Sequence, residues 1–433
     1  MGDQVGPGNT GILNRSSVLG LIRGPSALTL GTSLVGQTLT VISGVIAARA
    51  LGVEGRGTLA ILWLIPLTLT LLGGIGVPQA TTFYVAREHH NARDVVRLSA
   101  QITLGLGVLL VLAYSLGLLL FATQSEAFTL GEGFLSVGLI PMFLAQNLGI
   151  ATLLGLTRYR AFNLGRVVPP FLYAVTAVAL LVANHSSLAW FLVVVLFSWG
   201  SSALITWTLV LRNLPSSAEP VQVTSGEIVK FGLKGVIGSV SPIDDIRVDQ
   251  FVVGLLLDPR ALGLYVAALA FCNLPRFVAQ SIGTVSFPRI ASAPSVRDAW
   301  ALTGRSFRIG LIAIGCTVFA LLVTMPTLLP LMFGDDFSEA VSFGRILLLA
   351  AFFLSVHRLL TELARGLGHP GYGSITEVVN LAAFAAALVI FASPASNSGI
   401  ATSVLVGGLA SSALLALLLR RLRNAQLAPK PSE

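Results

Sequence analysis

The feature that most constrains this chain is the recurrence of apolar runs of about 20 residues, each long enough to cross ~30 Å of hydrocarbon as a helix. Twelve such runs occur, at about 27–48, 57–85, 98–122, 133–156, 165–184, 187–211, 231–257, 262–287, 307–333, 340–364, 373–392 and 398–419. In 433 residues, 54% are apolar, only 11% are charged, and the mean hydropathy is +0.85, which excludes a soluble globule. The expected fold is an all-α polytopic membrane protein with about 12 transmembrane helices.

The arginines and lysines orient these runs. Of 27 cations, 20 fall in the terminal segments and the connections on their side, three (Arg49, Arg56, Arg260) on the other side, and four (Arg247, Arg276, Arg345, Arg358) inside the runs. By the positive-inside rule, both termini are cytoplasmic, as an even number of crossings requires. The net charge of +8 is thereby explained by topology, and with no basic stripe interleaved with aromatics there is no call for nucleic acid as a partner. Cys272 and Cys316 sit in apolar runs without CxxC or Cys/His spacing, and His89 and His90 lie in a connecting segment, so no metal site is expected. No Walker motif, nucleotide fold or GxSxG elbow is present, so neither direct use of ATP nor a cofactor is expected.

The organisation reads as a cytoplasmic N-terminal segment (1–26), a first lobe of six helices (27–211), a Pro/Ser-rich cytoplasmic linker (212–230), a second lobe of six helices (231–419) and a cytoplasmic tail (420–433). A second long connection, 288–306, suggests a short helix lying on the inner surface with Trp300 as interfacial anchor. The tripeptide ALG recurs at Ala50–Gly52 and Ala261–Gly263, each time before a run holding two prolines (Pro66 and Pro78; Pro275 and Pro288). Two repeated halves with interrupted helices point to substrate binding in a central cavity between them.

The seventh run, Phe231–Leu257, carries Asp244, Asp245, Arg247 and Asp249 at membrane depth, with Pro242 permitting a kink. A charge near the bilayer centre costs at least ~2.5 kcal/mol, so such residues face a cavity or a partner. In the eighth run, Asn273, Arg276 and Gln280 form one polar stripe, with Pro275 as a second hinge candidate. The tenth run holds His357, Arg358 and Glu362; Gln37, Gln146 and Asn147 add hydrogen-bonding groups elsewhere. Asp249 with Arg276, and Arg358 with Glu362, read equally well as structural ion pairs. Gln146 and Asn147 read equally well as interhelical hydrogen bonds. The acids Asp244, Asp245, Asp249 and Glu362, with His357, are candidates for ion coupling or gating.

Four segments carry a resemblance to a known family. AARALGVEGRGTLAILWLIP (47–66) resembles the stretch after helix 1 of bacterial oligosaccharide (Wzx-type) flippases, and RVDQFVVGLLLDPRALGLYVAA (247–268) is similar to their helix 7–8 junction. TLLPLMFGDDFSEAVSFGRILLLA (327–350) and RGLGHP (365–370) resemble the helix 9–10 junction and the loop after helix 10. The resemblance implies the fold of the multidrug/oligosaccharidyl-lipid/polysaccharide (MOP) exporter superfamily, two six-helix bundles around a central cavity opening alternately inward and outward. It implies a lipid-linked oligosaccharide on polyprenyl diphosphate as the substrate, moved between leaflets of the bacterial plasma membrane, with polysaccharide polymerase or other assembly proteins as partners besides the bilayer. The matched motifs include Arg49, Arg247 and Asp249. Arginine's rigid fork suits phosphate, so Arg276, Arg358 and Arg247 are candidate diphosphate ligands, and Asn273, Gln280, Gln37, Gln146 and Asn147 candidate sugar contacts.

Two other classes compete. A proton- or sodium-coupled drug or cation exporter of the same superfamily commonly carries an acid in its first helix, and 28–48 contains none. A membrane enzyme of polysaccharide assembly usually presents catalytic groups in a large outer loop, and the outer connections here are short. No catalytic residue is expected.

Overall fold

The computed structural model describes residues 25–87, 91–121, 127–215, 223–239, 241–391 and 396–428. Every regular element among them is helical, as a backbone that must satisfy its own polar groups in lipid requires. Among the described residues, ten helices are long and apolar enough to cross a membrane. The protein is an all-helical, multi-pass membrane protein.

The first half comprises α1 (Pro25–Gly73), α2 (Val77–Arg87), α3 (Ala92–Phe121), α4 (Leu130–Val137), α5 (Leu139–Gly155), α6 (Tyr159–Val182) and α7 (Leu188–Asn213). The second half comprises α8 (Ser225–Ser239), a π-turn (Pro242–Ile246), α9 (Val248–Leu256), α10 (Pro259–Ala291), α11 (Val296–Phe333), a 3₁₀ turn (Asp335–Phe337), α12 (Ala340–Gly366), α13 (Gly371–Phe391) and α14 (Asn397–Leu427).

Ten long helices stand where twelve runs are expected, and two local features account for the difference. The first two runs share α1, which turns at Gly52 through a left-handed backbone (φ 71°) that glycine adopts without a Cβ penalty. Across the 12 residues from Gly44 to Arg56 a straight helix would rise ~18 Å. Instead, Arg56 Nη2 lies 3.7 Å from where a Cβ on Gly44 would be, so the second limb folds back on the first. The seventh run is interrupted at Pro242, leaving α8 and α9 too short to span alone. Arg247 takes a left-handed φ of 60° before α9 resumes.

That interruption changes which half the run packs on. Phe231 of α8 stacks on Phe83 of α2 at 4.4 Å, and Gly232 sits against the backbone of Ile75 and Gly76, so α8 leans on the first half. From the π-turn onward the chain joins the second half, where Ile243 packs with Ala350 and Leu354, and Val253 with Tyr265 and Ile400. A first-half core gathers Leu59, Leu62, Phe143, Tyr173 and Phe191. A further second-half core centres on Ala279, Leu359 and Leu363.

The expected surface helix within 288–306 is not separate. The chain from Val296 onward is the start of α11, a 38-residue helix, and Trp300 Nε1 donates to Gln426 Oε1 of α14 at 3.0 Å. Both helices are longer than a crossing of ~30 Å needs, and they brace one another there.

The two halves meet tightly at the Gly52 end. A Cβ on Gly57 would collide with the carbonyl of Pro259, and one on Gly263 with the carbonyl of Val53. Without lipid-to-core transfer to drive association, membrane helices gain from such small-residue approaches. The same end is tied across the halves by Arg49, whose Nε donates to Met332 O at 2.7 Å, while Arg260 with Glu339 at 2.9 Å ties α10 to the start of α12 within the second half.

Candidate functional site, a cationic cavity between the halves

Below this contact, a cavity of about 390 Å³ separates the halves. Its first-half wall comes from both limbs of α1, and from α6 and α7; its second-half wall comes from the α9 start and α10. On the second limb of α1, Arg56, Leu59, Ala60, Trp63 and Leu64 all face it, the i, i+3, i+4, i+7, i+8 stripe of one helix face. On α10 the stripe runs Val266, Asn273, Arg276, Phe277, Gln280 and Thr284 through three adjoining compartments.

The charge in this space is lopsided. Arg56, Arg166, Arg247 and Arg276 line it, and Asp249 is its one lining carboxylate among the described residues. Arg56 Nε is buried without a hydrogen-bond partner among those residues. Asp249 is buried; its Oδ2 accepts a hydrogen bond from Tyr265 Oη at 3.0 Å, its Oδ1 has no hydrogen-bond partner among the described residues, and it lies in the field of Arg276 and Arg247. A buried charge needs compensation; Arg166 and Arg247 are exposed to the cavity, while Arg56 Nε is the buried group left without an acceptor among the described residues.

Of the residues singled out from sequence, Gln37, Arg247, Asp249, Asn273, Arg276 and Gln280 come together here. Pro242 opens the π-turn, whereas α10 runs unbroken through Pro275. Gln146, Asn147 and Arg358 do not line the cavity, and for Gln146 the interhelical alternative holds. Gln146 is buried and donates to Gly165 O at 2.7 Å, an interhelical tie between α5 and α6. Asn147 points to the exposed face of α5. Arg358 is half-buried on α12, outside the cavity lining, and Glu362 pairs with Arg365 at 3.0 Å rather than with Arg358.

His357 and Asp245 lie in a separate network. His357 Nε2 is 2.7 Å from Thr376 Oγ1 and its Nδ1 3.7 Å from Glu377 Oε1. Ser241 Oγ donates to Glu377 Oε2 at 3.0 Å, while Ser241 N donates to Asp245 Oδ2 at 2.8 Å, closing the π-turn. Two helices, α12 and α13, are thus tied to the interruption. Asp244's side chain lies outside the described residues.

Sequence reasoning misplaced two cavity residues. Arg56 was expected in an outer connection and Arg166 in a cytoplasmic one. The second limb of α1 starts before Arg56, and α6 starts at Tyr159, not 165, so both arginines lie on helix faces inside the protein. The i+7 spacing of Arg56 and Trp63 was the available signal. Gln250, Tyr173 and Trp199 were also missed, as was Glu377, an acid inside an apolar run.

The fold is that of MOP-superfamily transporters. An inward-facing multidrug-resistance MATE family transporter of the MOP superfamily matches with a TM-score of 0.74 at 16% identity, covering 94% of this chain and 100% of that one. The lipid II flippase MurJ in an inward closed conformation matches with a TM-score of 0.70 at 12% identity, covering 91% and 87%. A MOP superfamily transporter from Pyrococcus furiosus, described as having a binding pocket of reverse polarity, matches at 0.66 and 15%, covering 95% and 99%. No curated protein matches the chain. The model of the polysaccharide biosynthesis protein family matches residues 21–293, and the chain belongs to that family.

Proposed function

We propose that this protein is a flippase that moves a lipid-linked oligosaccharide, carried on polyprenyl diphosphate, from the inner to the outer leaflet for cell-surface polysaccharide assembly. The observation that carries the reading is the cavity of four arginines and one carboxylate, walled by both halves, in a chain of the polysaccharide biosynthesis family. A diphosphate brings anionic charge to a cavity rich in arginine, and guanidinium forks pair with phosphate oxygens. Arg56, Arg247 and Arg276 hold the diphosphate; Gln37, Asn273, Gln280 and Gln250 meet sugar hydroxyls.

In this account the chain crosses the membrane twelve times, as two six-helix lobes (27–211 and 231–419) joined by the 212–230 linker, with both termini in the cytoplasm. The Gly57–Gly263 contact is then the closed outer gate, and transport alternates it with closure at the cytoplasmic end. Asp249, and the Asp245–Glu377–His357 network at the interrupted helix, are the groups for ion coupling. The exporter reading draws on the likeness to MATE transporters, but a cation substrate does not suit a cavity dominated by arginine.

The test is surface polymer in cells carrying Arg276→Ala or Arg247→Ala at unchanged protein level. Loss of polymer is expected; polymer at the level given by the unmodified protein overturns the assignment.

A further inference from the structure

The cavity has a second pole that the arginines do not explain. Trp63 of α1 and Trp199 of α7 stand edge-to-face at 6.0 Å, with Phe143 edge-on to Trp199 at 4.6 Å and Tyr173 6.0 Å from Trp63. Phe143 is buried behind them, while both indoles and Tyr173 line the cavity. Elsewhere in the protein, Trp207 Nε1 donates to Ala145 O at 2.9 Å and Trp300 Nε1 to Gln426 Oε1 at 3.0 Å; Trp190 is exposed at the start of α7, stacked on His185. The indole N–H groups of Trp63 and Trp199 have no acceptor among the described residues.

A tryptophan set between an apolar core and a wet space ordinarily satisfies its N–H. Neither N–H is among the buried unpartnered groups, so both open to the cavity, and two such donors in one wall, held by a packed aromatic cluster, suit an occupant with both an apolar face and hydroxyl acceptors. A polyprenyl tail would cover the rings and leave the donors unfilled. A pyranose ring offers C–H groups on one face and oxygens around its edge. Arg56 and Trp63 lie two turns apart on one helix face, about 10 Å along the axis, the span of a diphosphate with its first one or two sugars.

We infer that Trp63 and Trp199 form a sugar-binding subsite, which stacks a pyranose near the diphosphate-linked end of the glycan while Arg56, Arg247 and Arg276 hold the anion. The inference rests on the flippase reading and adds to it where the glycan lies and that the protein selects for it. The rings act by contact with substrate and take no part in moving charge.

The experiment measures binding of the purified full chain in detergent to polyprenyl diphosphate, bare or bearing one hexose, one N-acetylhexosamine or one 6-deoxyhexose. The unmodified protein is expected to bind at least one sugar-bearing lipid more tightly than the bare lipid, by about tenfold. Trp63→Phe with Trp199→Phe keeps an aromatic wall but removes both N–H groups and part of the stacking area, and is expected to abolish that preference while bare-lipid affinity stays unchanged. Trp207→Phe, away from the cavity, is expected to retain the preference. Should no sugar-bearing lipid outbind the bare one, or should the double variant keep the preference, the subsite is wrong and the flippase reading stands. Equal weakening of bare and sugar-bearing lipid by the double variant also overturns the subsite, since the rings would then only support the wall. Failure of the unmodified protein to bind any of these lipids overturns the flippase reading itself.

Discussion

Arg49 Nε donates to Met332 O at 2.7 Å, and its Nη2 donates to Leu331 O, so an arginine from the first limb of α1 caps the last turn of α11. The final carbonyls of a helix lack intrahelical partners and carry the negative end of its dipole. Here a cation from the opposite half satisfies two of them, those of Leu331 and Met332. A contact that joins the halves at one end only must break whenever that end opens.

Arg49→Ala is therefore expected to favour opening at the Gly52 end. Hydrogen bonds to charged groups contribute about 1.5–3 kcal/mol when shielded, and this one is solvent-accessible, so a shift of ~1–2 kcal/mol, roughly 5- to 30-fold in population, is expected. Spin-label distances across that end, one label on each half, read it out: a new, longer distance population in the variant supports the latch, and an unchanged distribution refutes it.

Gly57→Ala sets a Cβ against the carbonyl of Pro259, with no room to relax because the neighbour is backbone. The halves are expected to be held apart, with surface polymer lost and protein level retained. Gly31→Ala, which meets nothing within 4 Å, is the matched control and should export normally. Export by Gly57→Ala equal to that of Gly31→Ala would show that close approach at this point is dispensable.

Much of this architecture was legible as apolar length, because lipid leaves the backbone few options. What composition could not show is where a run folds back. Gly52 and Pro242 punctuate helices whose hydropathy continues across them, so the first two runs merged and the seventh divided. The polar stripe Asn273–Arg276–Gln280 was readable from spacing on a single helix. Arg56 and Arg166 were not, since a cation a few residues from a run's edge looks like a loop residue until the helix start is known. Arg358 went wrong for the converse reason: an arginine within a run marks membrane depth but not which face looks into the cavity.

Thr376 Oγ1 lies 2.7 Å from His357 Nε2 in the buried network that ties α12 and α13 to the interrupted helix. Thr376→Val keeps the shape and removes that partner, leaving the imidazole nitrogen unsatisfied at a cost of about 1–3 kcal/mol. A lowered thermal unfolding midpoint in detergent is expected, whereas Thr376→Ser, which restores the hydroxyl, should recover most of it. Identical midpoints for the unmodified protein and the valine variant would remove the network from the stability account.

At the start of α8, the N–H and hydroxyl of Thr224 both donate to Glu227 Oε2, at 2.8 and 3.0 Å, and hold this exposed carboxyl below its ordinary 4.5. A carboxyl lowered in the folded state stabilises fully above its unfolded value and loses that contribution as pH falls through the lowered one. Hydrogen exchange at Ser225–Ile228, corrected for intrinsic rates, is expected to accelerate below pH 4.5 in the unmodified protein. Glu227→Gln should remove the pH dependence. Persistence of the same acid-triggered acceleration in that variant would assign it to another group.

The most direct test of transport is the polyprenyl-linked intermediate profile of cells depleted of this protein. The account predicts accumulation of a complete lipid-linked oligosaccharide accessible from the cytoplasmic leaflet alone, reversed by the unmodified chain and not by Arg276→Ala. An unchanged lipid pool, or one stalled at a shorter glycan, would contradict it, the first pointing to export of another solute and the second to a role in assembling the glycan.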